Sequence, residues 1–331
     1  MFNGKSILVT GGTGSFGHCF IKHVLANYTP KKLIVFSRDE LKQYEMQETF
    51  DSPAMRYFIG NVRDKDRLIT AMRDVDYVVH AAALKQVPAA EYNPMECIKT
   101  NIMGAQNVIE AAIEAGVNRV IALSTDKAAN PVNLYGATKL ASDKLFVAAN
   151  NISGADGTRF AVVRYGNVVG SRGSVVPFFK KRVAEGKVPL PVTHTEMTRF
   201  WLRLEQGVEF VVKNFQRMRG GEIFVPKIPS VNILDLVEAI SGSREYETIG
   251  IRPGEKLHEI MVPEEVAHQT LEFHDHYVIT PAIKFFERNV DYAENKLGEK
   301  GKEVSSKFEY HSGTNPHFLS VDELIELNKD L

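Results

Sequence analysis

The chain has 331 residues, enough to bury a sizeable core in one large domain or two smaller ones. Its 40 Lys and Arg residues nearly balance 41 Asp and Glu residues, and the formal charge of −1 indicates neither a nucleic acid nor a membrane as partner. No apolar run approaches the roughly 18 residues that span a bilayer, and no signal-type segment precedes the first expected strand. Two cysteines, Cys19 and Cys97, make no disulfide framework. We therefore expect a soluble, cytoplasmic protein.

In the first half of the chain, short β-branched or apolar segments alternate with longer stretches of helical spacing. One such stretch covers 107–115 and ends at Gly116. The alternation predicts a Rossmann-type α/β fold, with a doubly wound parallel sheet between helices. The expected strands are 6–10, 33–36, 56–59, 77–80, 120–124 and 161–165.

Beyond residue 165 the regular alternation gives way to segments punctuated by glycine and proline. A helix is expected after Arg203, a strand at 222–225, and a helix at 233–240 with Ser230 as its cap. We predict one domain over 1–165, to which later segments return, and a smaller, discontinuous substrate-binding region over 166–331.

A glycine-rich loop, TGGTGSFG, runs from Thr10 to Gly17 between the first expected strand and the next helix. Glycines at 11, 14 and 17 permit a tight turn, close approach of the backbone to a pyrophosphate, and close helix–strand packing. The helix N-terminus also favours an anion. A merely tight turn is the alternative, but this position makes the pattern specific for a dinucleotide.

The end of the second expected strand, Ser37 to Lys42, faces the adenosine ribose in such folds. The cations Arg38 and Lys42 favour NADP over NAD, because they lie near the place of a 2′-phosphate. Alternatively, Asp39 and Glu40 bind a free ribose hydroxyl and Arg38 is a surface charge. Asn61, after the third strand, is expected to contact adenine.

Tyr135 and Lys139 are four residues apart and would share one helix face. A nearby cation favours the phenolate, so the pKa of Tyr135 is expected below its usual value of about 10. Such a phenol can take a proton from a sugar hydroxyl while a nicotinamide accepts hydride. A surface helix is the alternative, but Ser124 and Thr125 at the end of a preceding strand favour catalysis.

Asp126 and Lys127 suggest a second proton transfer. A ketone at C4 of a sugar acidifies the C5 hydrogen, so a neutral Lys127 amine would be a suitable base and Asp126 a suitable acid for loss of the C6 hydroxyl. A simple ion pair between the two side chains is the alternative.

These motifs resemble the extended short-chain dehydrogenase/reductase superfamily of nucleotide-sugar enzymes. Within it, the chain is similar to the inverting UDP-N-acetylglucosamine 4,6-dehydratases, which begin pseudaminic acid biosynthesis. The segments that carry the resemblance are SRDE at 37–40, ALKQVP at 83–88, STDK at 124–127, RYGNV at 164–168 and RPGEK at 252–256.

The resemblance implies a role for each matching residue, a homo-oligomer, and UDP-N-acetylglucosamine as substrate. The catalytic set is Asp126, Lys127 and Tyr135, and the UDP-sugar contacts are Lys85, Asn167, Arg252 and Glu255. Asn61 departs from the family, which more often has aspartate there. The NADP site is implied to comprise Gly11, Thr13, Gly14, Ser15, Phe16, Gly17, Ser37, Arg38, Asp39, Glu40, Leu41, Lys42, Asn61, Val62, Ala81, Lys85, Thr100, Tyr135, Lys139 and Val168.

Other functions stay open at this point. A dehydratase that retains C5 or a C4 epimerase would also use Tyr135, and a non-catalytic NADP-binding sensor would keep only the fold. A surface position in a Pro-Gly turn is the alternative for Arg252. The histidines and cysteines have no spacing typical of a metal site, so no metal is expected.

Overall fold

The computed structural model describes residues 1–154, 156–169, 174–283 and 290–329. Its strands, in chain order, are β1 Ser6–Thr10, β2 Lys32–Ser37, β3 Met55–Ile59, β4 Tyr77–His80, β5 Arg119–Thr125, β6 Arg159–Tyr165, β7 Asn167–Val168, β8 Leu190–Val192, β9 Thr198–Leu202, β10 Ile223–Pro226, β11 Ser230–Asn232, β12 Tyr246–Thr248, β13 Ile260–Val262, β14 Thr270–Glu272, β15 His276–Ile279, β16 Lys302–Glu303 and β17 Tyr310–His311.

The α-helices pack around these strands. They are α1 Ser15–Asn27, α2 Glu40–Thr49, α3 Lys65–Ala71, α4 Val87–Tyr92, α5 Pro94–Ile98, α6 Gly104–Glu114, α7 Leu134–Ser153, α8 Val175–Ala184, α9 Leu204–Arg217, α10 Ile233–Ser241 and α11 Val321–Leu327. Short 3₁₀ segments cover Asp126–Ala128 and Glu264–Gln269, and a π-helical segment covers Lys99–Met103. No helix in the described part of the chain has the length and apolar character needed to cross a membrane.

One large sheet organises the fold. Its order is β16-β14-β15-β10-β6-β5-β4-β1-β2-β3, and the strands from β10 to β3 run parallel. β15, β14 and β16 extend the sheet in antiparallel fashion beyond β10. The predicted doubly wound α/β fold is thus confirmed. The strand order reverses between β1 and β4, and this switch point is where open parallel sheets bind ligands, at the carboxyl ends of the strands.

The expected strands of the first half are all present, with bounds within two residues of the predicted ones. β1 and β4 have buried, apolar sequences typical of inner parallel strands. The helix after Arg203 is α9, whose buried face includes Val208, Val211 and Phe215. The predicted cap of α10 is wrong. Asn232 accepts the hydrogen bond from Leu234 N, because Ser230 lies two residues earlier, inside β11.

The described residues include two clusters of buried hydrophobic side chains. The larger cluster surrounds the main sheet and includes residues from both halves, such as Phe160 and Phe224. The smaller cluster lies in the second half and includes Phe179, Trp201 and Leu236. The boundary at residue 165 remains a proposal, in which β10, β14, β15 and β16 return to the cofactor-binding sheet.

The glycine-rich loop turns tightly from β1 into α1. Gly11 has a φ of 67°, and a Cβ there would lie 2.9 Å from the Ala82 backbone. A Cβ on Gly17 would lie only 2.0 Å from the Gly12 carbonyl oxygen. Gly14 differs, because the nearest described atom to its Cβ would be the Gly11 carbonyl oxygen at 3.3 Å. The fold therefore requires glycine at 11 and 17 more strongly than at 14.

Replacing Gly17 with alanine is expected to destabilise the protein by about 3 kcal/mol or more, because the added methyl group forces α1 away from the loop. Urea unfolding measures the loss. Gly14→Ala is the matched control and should unfold within about 1 kcal/mol of the wild type. Equal destabilisation by both substitutions would contradict this account of the loop.

Candidate active site

A cavity of about 770 Å³ opens at the carboxyl ends of β1 to β6. It extends from the glycine-rich loop, past the end of β2, to the residues that follow β5 and β6. The predicted site residues that line it are Gly11, Thr13, Gly14, Ser15, Phe16, Ser37, Arg38, Asp39, Lys42, Asn61, Val62, Ala81, Lys85, Thr100, Asp126, Lys127, Tyr135, Lys139, Asn167 and Val168.

Five predicted site residues do not line this cavity: Gly17, Glu40, Leu41, Arg252 and Glu255. Gly17 lies buried in the first turns of α1, where it serves helix–strand packing. Glu40 and Leu41 lie on the exposed side of α2. Their sequence neighbours at the end of β2 reach the cavity, whereas the helical turn carries these two side chains away from it.

The N-terminus of α1 faces the cavity. Gly14 is its N-cap and has no side chain, so no side-chain cap satisfies the first helical N–H groups. Those N–H groups and the helix dipole suit a pyrophosphate. The open space beside Gly14 allows a ligand to approach the backbone closely, and the loop therefore fits a dinucleotide.

The end of β2 presents one carboxylate that is engaged with α2 and one cation that has no partner within the described ranges. Asp39 accepts a hydrogen bond from Lys42 N at 3.1 Å and thereby caps α2. Its other oxygen is 2.7 Å from Lys42 Nζ, and these contacts lower the pKa of Asp39. The exposed Arg38 guanidinium has no hydrogen bond or ion pair to any other described residue. Arg38 is thus available for an anion, whereas Asp39 is committed to the helix.

A buried ion pair anchors β5 to α7 and β6. Ser124 Oγ donates to Asp143 Oδ2 at 2.8 Å, and Arg164 Nη2 donates to the same oxygen at 3.1 Å. Arg164 also donates to the Met261 carbonyl oxygen at 2.9 Å. The network fixes the strand end that precedes Asp126 and the helix that carries Tyr135.

Tyr135 and Lys139 both lie on the cavity wall formed by α7, as their spacing predicts. The expected direction of the tyrosine pKa is wrong, however. Burial raises the pKa of Tyr135 to about 12, although the Lys127 ammonium and a hydrogen bond with Thr125 lower it in part. Lys139 is buried, and burial lowers its pKa while Asp143 opposes that effect. The cation that acts on the phenol is therefore Lys127.

Lys127 lies between two buried carboxylates. Its Nζ is 3.1 Å from Asp126 Oδ1 and 3.3 Å from Glu259 Oε1, and the two acidic side chains are only 1% and 3% exposed. Burial lowers the pKa of Lys127, but the two carboxylates overcome that effect and raise it above the ordinary value. The neutral amine expected from the sequence is therefore wrong for this arrangement, and the ion pair with Asp126 is formed.

Glu259 and Arg199 are members of the site that the sequence reasoning missed. Glu259 directly precedes β13, and its Oε1 lies 3.9 Å from Arg199 Nε on β9. No spacing connects either residue to Lys127, because Glu259 contacts Lys127 only through the tertiary fold and Arg199 in turn contacts Glu259. The sequence signal for Glu259 was its position four residues after Glu255, close to the 252–256 segment, and Arg199 had no such signal.

The 252–256 segment packs beside the predicted catalytic residues without lining the cavity. Asn133 Nδ2 donates to the Gly254 carbonyl oxygen at 2.7 Å, and Lys256 Nζ donates to the Ala129 carbonyl oxygen at 2.6 Å. Glu255 Oε1 is 3.6 Å from Arg199 Nη2. The segment is therefore tied to the start of α7 and to β9, near the predicted sugar end of the site.

Two further predicted substrate contacts lie in the cavity. Asn167 is at its wall, and its Oδ1 is buried without a hydrogen-bond partner among the described residues. Such an orphaned acceptor suits a ligand donor. Burial lowers the pKa of Lys85, which lines the cavity after β4. Among the described residues, no three His, Cys, Asp or Glu side chains are grouped as a metal site.

Truncation of Asp143 tests the anchoring network. Asp143→Ala leaves the Arg164 guanidinium without its buried partner, and we expect a loss of about 3–5 kcal/mol in the free energy of unfolding. Guanidinium unfolding measures this loss. Lys144→Ala, a neighbouring change on the exposed side of α7, is the control and should leave stability nearly unchanged. A loss below about 1 kcal/mol for Asp143→Ala would contradict an anchoring role.

A Rossmann-type sheet with a tyrosine and a lysine at its carboxyl edge defines a protein of the short-chain dehydrogenase/reductase class. More particularly, the chain belongs to the family described as polysaccharide biosynthesis protein, whose model matches residues 7–281. The resemblance inferred from the motifs is confirmed.

Relatives similar over nearly the whole chain have two different activities. A UDP-N-acetylglucosamine 4,6-dehydratase (inverting) from Campylobacter jejuni subsp. jejuni serotype O:2 is 64% identical over 327 residues, covering 99% of this chain and 98% of the relative. A UDP-glucose 4-epimerase from Rickettsia bellii is 40% identical over 334 residues, covering 99% and 96%. Among solved structures, Pen from Bacillus thuringiensis has a TM-score of 0.87 and 37% identity, covering 99% of this chain and 98% of its own.

Proposed function

We propose that the protein is an NADP-dependent UDP-N-acetylglucosamine 4,6-dehydratase that inverts C5. Its product would be UDP-2-acetamido-2,6-dideoxy-β-L-arabino-hex-4-ulose, which begins pseudaminic acid biosynthesis. The observation that carries the proposal is the hydrogen-bonded pair of Asp126 and Lys127, 3.1 Å apart, in the same cavity as Tyr135. The 64% identity to the Campylobacter dehydratase supports it further.

An epimerase is the second candidate, because a relative with that activity is 40% identical. Epimerisation at C4 needs a proton acceptor for one hydroxyl, which Tyr135 would supply alone. Dehydration needs an additional base at C5 and an acid at the C6 oxygen. Lys127 and Asp126, which contact each other in the same cavity as Tyr135, suit the roles of this base and this acid.

The cavity residues fit a nicotinamide dinucleotide. The glycine-rich loop and the α1 N-terminus would hold the pyrophosphate, and Asn61 and Val62 would lie at the adenine. Arg38 would bind a 2′-phosphate, which favours NADP over NAD. When bound, the cofactor supplies a hydride acceptor for C4 and a hydride donor for C6 within one turnover.

Tyr135 would take the proton of the C4 hydroxyl on its Oη. Burial raises the pKa of Tyr135 to about 12 even though the Lys127 ammonium lowers it in part, so the phenolate that accepts this proton is the minor form at neutral pH. Without the Lys127 ammonium that form would be rarer still. The charge that makes Lys127 a poor base at the outset thus assists the first proton transfer.

The elimination would then need Lys127 as a neutral amine and Asp126 as a neutral acid. The ion pair reaches that state when one proton moves from Nζ to Oδ1 along the existing hydrogen bond of 3.1 Å. Lys127 would take the C5 proton, the C6–O bond would break, and Asp126 would protonate the departing hydroxyl. These steps regenerate the ammonium and the carboxylate, so the pair returns to its original state.

Turnover in D₂O tests the proposed reaction. With UDP-N-acetylglucosamine as substrate, NMR is expected to show a 6-deoxy-4-keto sugar with deuterium at C5 and the L-arabino configuration. Lys127→Ala is expected to lose at least about 1,000-fold in water elimination, because no other amine contacts Asp126 in the described structure. A product that keeps its C6 hydroxyl would support the epimerase instead, and an unchanged rate for Lys127→Ala would exclude Lys127 as the base.

Removal of the Arg38 charge tests the cofactor preference. Arg38→Gln is expected to weaken NADP binding by about tenfold or more, because one charge-assisted contact to the phosphate is lost. NAD binding should change less than about threefold, since NAD has no 2′-phosphate. Isothermal titration with each cofactor measures both values. Equal weakening of the two cofactors would contradict recognition of the phosphate by Arg38.

The remaining proposals rest on family resemblance. We propose a homo-oligomer in the cytoplasm, with Arg252, Glu255, Asn167 and Lys85 in contact with the UDP-sugar. In support, Asn167 and Lys85 line the cavity, and the other two residues belong to the segment docked beside Asn133. The guanidinium fork of Arg252 is well suited to the diphosphate of a UDP-sugar.

A further inference from the structure

A second buried carboxylate contacts the ammonium of Lys127. Glu259 Oε1 lies 3.3 Å from Lys127 Nζ, and Asp126 Oδ1 lies 3.1 Å from the same nitrogen. The two acids come from distant parts of the chain, one after β5 and one before β13. One cation thus joins two carboxylates that are almost fully removed from water.

Each of these carboxylates has one unsatisfied oxygen. Asp126 Oδ2 and Glu259 Oε2 are buried, and neither has a hydrogen-bond partner among the described residues. A buried ionised oxygen without a donor costs free energy. Two such oxygens around one ammonium favour a state in which a proton is shared within the group.

The charges around Glu259 come from several elements. Asp126 and Lys127 face it from the segment after β5, Arg199 from β9, and Lys256 from the loop before β13. Burial and the Asp126 charge raise the pKa of Glu259, while the three cations oppose them. Glu259 therefore titrates together with its neighbours rather than alone.

We propose that Glu259 is a positioning residue that completes a proton-sharing triad with Asp126 and Lys127, and that its carboxylate controls which of these two residues holds the proton. The catalytic role of this triad rests on the proposed dehydration. While Glu259 is ionised, it holds the proton on Lys127 Nζ. When Glu259 is neutral, the proton moves more readily to Asp126 Oδ1, which gives the amine and acid that elimination requires.

The proton balance of this scheme closes. The C5–H bond breaks and its proton goes to the Lys127 amine, while its electron pair forms the C5–C6 double bond. The C6–O bond breaks, and the oxygen leaves as water with the proton of Asp126. The triad is left with one ammonium and one aspartate carboxylate, and Glu259 ends in the protonation state in which it began.

Competitive acylation of lysines, read by mass spectrometry, tests the triad without turnover. The acylation rate follows the fraction of neutral amine, so Glu259→Gln is expected to accelerate labelling of Lys127 about tenfold at constant pH. The exposed Lys181 is the internal standard, and Glu265→Gln is the matched control. It removes the same charge from an exposed position, and its Lys127 labelling should equal that of the wild type.

The pH dependence of water elimination from UDP-N-acetylglucosamine gives the second readout. Loss of the negative charge at 259 is expected to move both limbs of the profile to lower pH by about 1 unit, whereas Glu265→Gln should not move them. If Glu259→Gln does not fold, Glu259→Asp serves instead, and its shorter side chain should move labelling and both limbs in the same direction by a smaller amount.

Two results would overturn the triad. The first is a folded Glu259 variant in which both the Lys127 labelling rate and the pH profile of water elimination are unchanged. The second is a Glu265→Gln variant in which the labelling rate and the pH profile change as much as they do in the Glu259 variant. A wild-type protein that forms no 4-keto sugar would instead overturn the proposed function. In that case the labelling experiment still decides whether Glu259 controls the Lys127 proton.

Discussion

The site depends on one ammonium group held between two buried carboxylates. Burial alone would drive Lys127 to its neutral form, yet Asp126 and Glu259 keep it charged. Because isolated buried charges are very costly, the three side chains are stable only together. Removing Lys127 would leave two buried carboxylates without the ammonium between them, beside the proposed sugar site.

The fold supplies that arrangement through its sheet. β5 delivers Asp126 and Lys127 at its carboxyl end, and the Ser124–Asp143–Arg164 network fixes this end against α7 and β6. α7 presents Tyr135 and Lys139 to the same cavity. Glu259 arrives from the second half of the chain. Both halves of the chain therefore contribute charged side chains to the site as well as strands to the main sheet.

Local sequence predicted the parts of the structure that depend on local rules. Apolar runs placed β1 and β4, and the glycine spacing located the phosphate loop. The cavity contains Asp126, Lys127 and Tyr135 as expected. These predictions from motifs were correct because each motif lies within a single strand–loop–helix unit.

The errors concern quantities that depend on tertiary contacts. Spacing showed Lys139 near Tyr135, but it could not show that burial outweighs any cation and raises the phenol pKa to about 12. The position of Glu259 near the 252–256 segment likewise could not show its contact with Lys127, which helps to decide the charge of the amine. Sequence patterns identified the chemical groups of the site. Their protonation states depend on burial and tertiary contacts, which only the folded structure shows.

The central claim is that the protein catalyses the loss of water from a nucleotide sugar, rather than epimerisation at C4 alone. A single turnover of UDP-N-acetylglucosamine carrying deuterium at C4, followed by NMR, tests this most directly. The account predicts that the deuterium appears in the C6 methyl group of a 4-keto product. Deuterium that returns to C4 of a sugar with an intact C6 hydroxyl would contradict it.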